Sequence, residues 1–164
     1  MSRHLLPATV AALLCVSAPA SADLSRGVIT AFRAQLIVSK GDLPEGKTSA
    51  DGNDTSADKE TIAKIKAVQL KEVTGTKNDD LTSWHFHYTA FLSKTGNTSL
   101  KLEFLKNGKL AANQLLDGID AKSPVLSGDV SINEDEGIAK GKTYTVQLLT
   151  TSNVVVAKTT LTMK

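Results

Sequence analysis

Two histidines two positions apart, His85 and His87, are the one pair of side chains whose types and spacing suit a metal ion. On an extended strand, residues i and i+2 face the same side about 6.6 Å apart, so two imidazoles could grip one Zn2+ or Cu2+. A zinc site takes three or four protein ligands. The remaining histidine, His4, and the single cysteine, Cys15, lie near the N-terminus. Asp79, Asp80, Glu72 or another carboxylate would therefore have to complete the set. The competing reading is two polar residues on the half-solvated outer face of a sheet. His85 and His87 stand as metal candidates, with no ligand assigned.

Catalytic chemistry has less to work with. A Ser–His–Asp system would need His85 or His87 as its base, and the sequence holds no Gly-x-Ser-x-Gly elbow. Its 17 acidic residues leave a carboxylate-pair hydrolase open. Carboxylates gathered over 129–136 could surround Ca2+, but without the spacing of an EF-hand loop. Asn53 and Asn97 begin formal glycosylation sequons. The expectation is a chain that is not an enzyme and carries no cofactor.

The histidines sit in residues 83–92, a stretch with four of the seven aromatic residues and the only tryptophan. Strand alternation sends Trp84, Phe86, Tyr88, Ala90 and Leu92 one way, and His85, His87, Thr89, Phe91 and Ser93 the other. The first set reads as a core face. The second is a polar face that turns apolar at Phe91. A central strand of a β-sandwich follows, with Trp84, Phe86, Tyr88, Leu102, Phe104, Tyr144 and Val146 as its core.

Residues 28–38 alternate in the manner of a strand, with Phe32, Ala34, Leu36 and Val38 on one face. A polar loop, expected to be mobile, fills 40–57. Thr55 and Asp58 have capping-box spacing, which predicts a short helix over 57–66 whose Ile62 and Ile65 lie on a sheet. Strands are then expected near 66–74, 83–94, 98–105, 109–116, 125–133, 142–151 and 154–163. Asn107-Gly108 is the clearest turn signal, because both central residues of a type I′ hairpin need positive φ. Exposed alternation at Lys101 and Glu103 reads as protection of a sheet edge.

Residues 1–22 read as a secretory signal: Arg3 and His4, an apolar run from 5 to 16, then Ala20-Ser21-Ala22. The run is too short to span a bilayer. Leu13-Leu14 before Cys15 argue against a lipid anchor. The chain from 23 to 164 then has no cysteine, hence no disulfide and no thiolate, and is long enough for one unaided core. Its charge of about +1, without Arg3, argues against nucleic acid, which needs a basic surplus gathered on one face.

Residues 138–146, Ile-Ala-Lys-Gly-Lys-Thr-Tyr-Thr-Val, resemble the tyrosine corner of fibronectin type III and immunoglobulin-like domains. The shared pattern is an apolar residue, then Gly three later, Tyr six later and an apolar residue eight later. Lys140 stands where fibronectin-type domains often carry proline. The resemblance covers nine residues and implies an all-β antiparallel sandwich of seven to eight strands with one short N-terminal helix. It implies a hydroxyl that satisfies a backbone group where the chain crosses between sheets, and almost nothing about function. The combined expectation is an exported, non-catalytic module, periplasmic or extracellular, with a binding or structural role and a protein or glycan partner. A Cu/Zn-binding protein built on His85 and His87 is the second reading, and a small carboxylate-based hydrolase the third.

Overall fold

The computed structural model describes residues 24–45, 55–78 and 80–164. The signal-like segment and most of the polar loop, along with Asp79, lie outside them. In chain order the elements are α1 (Arg26–Ala31), β1 (Leu36–Ser39), α2 (Thr55–Val68), β2 (Glu72–Val73), β3 (Thr76–Asn78) and β4 (Leu81–Phe91). They continue with β5 (Ser99–Lys106), β6 (Lys109–Asp117), β7 (Val125–Asn133), a 3-10 turn (Glu134–Glu136), β8 (Lys142–Thr150) and β9 (Val155–Met163). Nine strands and two helices among the described residues exceed the seven to eight strands and one helix expected.

The strands form two sheets. In the first, β4 is the spine, with β1 and β3 along one side and β7 along the whole of the other. The second runs β2-β9-β8-β5-β6. All pairings between these strands are antiparallel except β2 with β9, which is parallel, as is the isolated bridge from Gln35 to Lys158 of β9. Each sheet supplies alternate residues to one shared core. Trp84, Phe86 and Tyr88 come from β4, Leu102 and Phe104 from β5, and Tyr144 and Val146 from β8, all buried. The alternation follows from the pleat, so a one-residue slip of β4 would turn Trp84 out to water.

A second, smaller core lies on the other face of β4. Val28, Phe32 and Ile65 from the helical layer meet Ile37 and Phe91 there. The Phe32 and Phe91 rings sit 5.1 Å apart between centroids. The strand expected over 28–38 is thus a helix followed by a short strand. Ser25 caps α1 by accepting from the Val28 amide at 3.2 Å, and the Val28–Phe32 spacing puts both side chains on one helical face. Alternation of Phe32, Ala34, Leu36 and Val38 was compatible with either element over so short a run. The Ser25 hydroxyl also donates to the Asp58 carboxylate, tying α1 to α2.

The strand expected over 66–74 is corrected in the same way. α2 continues to Val68, and only Glu72–Val73 is strand, held to the end of β9 by Thr162 N to Lys71 O at 3.0 Å and Lys164 N to Val73 O at 2.8 Å. Helical hydrogen bonds already in place extend more readily than a new strand nucleates without a long partner.

Hydrogen bonds at both ends hold the sandwich closed, besides the Lys158 amide donating to the Ala34 carbonyl at 3.1 Å. The Trp84 indole N–H donates to the Lys164 carbonyl at 3.0 Å, and the chain at Gly75 runs so close that a Cβ there would sit 2.8 Å from that nitrogen. At the other end, the Ala139 amide donates to the Tyr144 hydroxyl at 2.8 Å, where the chain passes from β7 in one sheet to β8 in the other.

Candidate functional site

His85 and His87 lie on the outer face of β4, opposite Ser131 and Asp129 of β7. They share a shallow hollow of about 280 Å³ with Lys40, Asp129 and Ser131. His85 is exposed, whereas His87 is only 6 % exposed, because β1 pairs alongside it and places Ser39 opposite. The expected half-solvated pair is therefore corrected. The helical layer and the turn after β1 bury the outer face progressively from His87 through Thr89 to Phe91.

The His87 ring is bracketed by carboxylates. Nδ1 lies 3.0 Å from Asp129 Oδ1, and Nε2 lies 3.4 Å from Asp42 Oδ1 without hydrogen-bond geometry. The two carboxylates approach opposite nitrogens of one ring, so they cannot converge with His87 on a common ion. Among the described residues, no group of three or more His, Cys, Asp or Glu side chains could hold a metal. Of the carboxylates expected to complete a site, Glu72 is paired with Lys164 Nζ at 2.5 Å, and Asp79 is outside the described residues. What the arrangement does is local. It ties β4 to β7, alongside the Thr89–Ser127 hydroxyl contact at 3.1 Å two pairs further along, with the turn after β1 lying against the far side of the ring.

At the end of the acidic stretch 129–136, Asn133, Glu134 and Glu136 satisfy backbone amides. Glu136 accepts from the Asn133 amide at 2.9 Å, Asn133 accepts from the Asp135 amide at 3.0 Å, and Glu134 reaches across to the Thr82 amide at 3.0 Å. The Asp129 charge also bears on Tyr88. Burial, and then that negative charge, push its phenol from 10.0 up to about 12. Three further hollows, of about 330, 550 and 690 Å³, have no carboxylate in their linings.

A feature that sequence reading missed lies at the far edge of the second sheet. β6 is the outermost strand, paired only with β5 among the described residues. Lys101 and Glu103, expected to guard an edge, are on the interior strand β5 instead. The true edge reads Lys-Leu-Ala-Ala-Asn-Gln-Leu-Leu-Asp, with no charge between Lys109 and Asp117. A bulge between Leu110 and Ala112 shifts the alternation, so Leu110 joins Asn113 and Leu115 on the outer face. Leu110 is 54 % and Leu115 59 % exposed. The signal was present in the run of uncharged residues after the Asn107-Gly108 turn. Nothing in a single sequence says which strand of a sandwich is outermost.

No family model, curated protein or solved structure matches this chain.

Proposed function

We propose that this chain is an exported, non-catalytic β-sandwich module of the cell envelope or extracellular space, and that it docks an extended segment of a protein partner along β6. The observation that carries the reading is the unguarded edge. Sheet edges are ordinarily blunted by charge, proline or a covering element, because their free N–H and C=O groups template another strand. β6 offers seven uncharged residues and two exposed leucines instead. Strand addition would satisfy the backbone groups, and Leu110 and Leu115 would supply apolar contact and select the partner's side chains.

The architecture favours an immunoglobulin- or fibronectin-III-like module. In support, β8 lies between β5 and β9, β1, β4 and β7 make up the opposing layer, and the Tyr144 hydroxyl accepts from an amide five residues upstream. Trp84 departs from the immunoglobulin pattern, since its strand is not in the sheet that carries the tyrosine.

The test is a photo-reactive amino acid in place of Asn113, activated in intact cells, with the same group in place of exposed Lys71, beside β2 at the opposite edge, as control. A defined cross-linked product from position 113, lost on Leu115→Lys, is expected. Equal, diffuse labelling from both positions would overturn the edge reading. Recovery of the exported protein with a new N-terminus at Asp23 checks the export half.

A further inference from the structure

We infer that the strand docked on β6 is β6 of a second copy of this chain, added antiparallel about a two-fold axis at Asn113; this rests on the edge-docking reading above. The strand is complementary to itself. Its only charges are Lys109 at one end and Asp117 at the other. Antiparallel self-pairing centred on Asn113, with the bulge counted, sets Lys109 opposite Leu116 and leaves Asp117 one residue beyond, so the lysine end of each copy lies at the aspartate end of the other. Parallel self-pairing would instead set lysine on lysine and aspartate on aspartate, which cross-strand repulsion disfavours.

The bulge fits the same register. It takes up one residue at Ala111 and carries Leu110 to the outer face, so Leu110 of one copy meets Leu115 of the other on both sides of the axis. Both are among the described chain's most exposed large apolar side chains. On the inner side, Gln114 and Leu116 are half-buried at the rim of the core, where the edge is open to a neighbour. The interface is isologous and closed, joining two five-stranded sheets into one continuous sheet and consuming the edge, so it makes dimers and not fibres.

The test uses the full chain with Cys15→Ser, which removes its only cysteine. Asn113→Cys faces its own mate across the axis, about 4.5–5.5 Å between Cα atoms, within disulfide reach. It is expected to oxidise to a covalent dimer. Leu110→Cys, whose mate lies about 13 Å away along the paired strands, is expected not to. Light scattering is expected to find the unmodified chain dimeric. Lys109→Glu or Asp117→Lys alone should raise the dimer dissociation constant about 3- to 10-fold, and the two together should restore it. A monomer persisting to about 1 mM, or a dimer in which Leu110→Cys links as readily as Asn113→Cys, would overturn the inference. A monomer whose position 113 still cross-links one different protein in cells overturns only the second copy and leaves edge docking standing.

Discussion

Tyr144→Phe isolates the one hydroxyl that ties the crossing between sheets. The ring is fully buried and keeps its apolar contacts in the variant, so the change deletes a single acceptor. The Ala139 amide, which donates to that oxygen at 2.8 Å, sits in a half-buried stretch and has no other partner shown. Losing a hydrogen bond while leaving its donor away from water costs about 1–3 kcal/mol, more than the net worth of the bond itself. For a domain of this size each kcal/mol moves the melting temperature by roughly 3 °C, so a fall of about 3–10 °C is expected. Urea unfolding followed by Trp84 fluorescence should show a lower midpoint with an unchanged slope, because the surface exposed on unfolding is the same. A loss under about 0.5 kcal/mol would refute the reasoning, since an amide that well hydrated in the variant cannot have depended on Tyr144.

The remaining expectations use other features. Gly75→Ala would place a Cβ 2.5 Å from Thr82 Cγ2 and 2.8 Å from Trp84 Nε1, so chemical denaturation should show a loss of about 1–3 kcal/mol with an altered tryptophan emission. Tyr88 carries a phenol pushed up to about 12, so its contribution is fully present below pH 10.0 and drains away as pH rises towards 12. That contribution is about 2–3 kcal/mol; Tyr88→Phe should remove this part of the alkaline fall in stability, and an unchanged fall would show that the phenol is not its source. Titration with Zn2+ or Cu2+ should give no stoichiometric uptake and no rise in melting temperature. Tight uptake abolished by His85→Ala and His87→Ala would establish the metal-binding reading instead. Gly137→Ala combines a backbone φ of 97° with a Cβ 2.4 Å from the Ala111 carbonyl, and should cost about 1–3 kcal/mol in the same denaturation assay.

Period-two alternation was enough to place Trp84, Phe86 and Tyr88 on one face of β4, because a pleated strand has no other way to arrange its side chains. Turn chemistry was equally local: Asn107 and Gly108 take positive φ of 51° and 76°, and β5 and β6 flank them as expected. The ends of β7, β8 and β9 fall within a residue or two of their predicted bounds for the same reason. The helix α1 was not legible, because a single turn of Val28 and Phe32 spacing also fits a strand, and the decision came from a second core that only the folded chain assembles. The burial of His87 was not legible either. It depends on β1, on Asp42 and on the helical layer, all distant in sequence from β4. The order of strands within a sheet is a tertiary fact of the same kind. Composition alone made the run from Leu110 to Leu116 free of charge; only the choice of β5 as an interior strand, hydrogen-bonded to β8 on its other side, made that run an edge with no further strand beside it among the described residues.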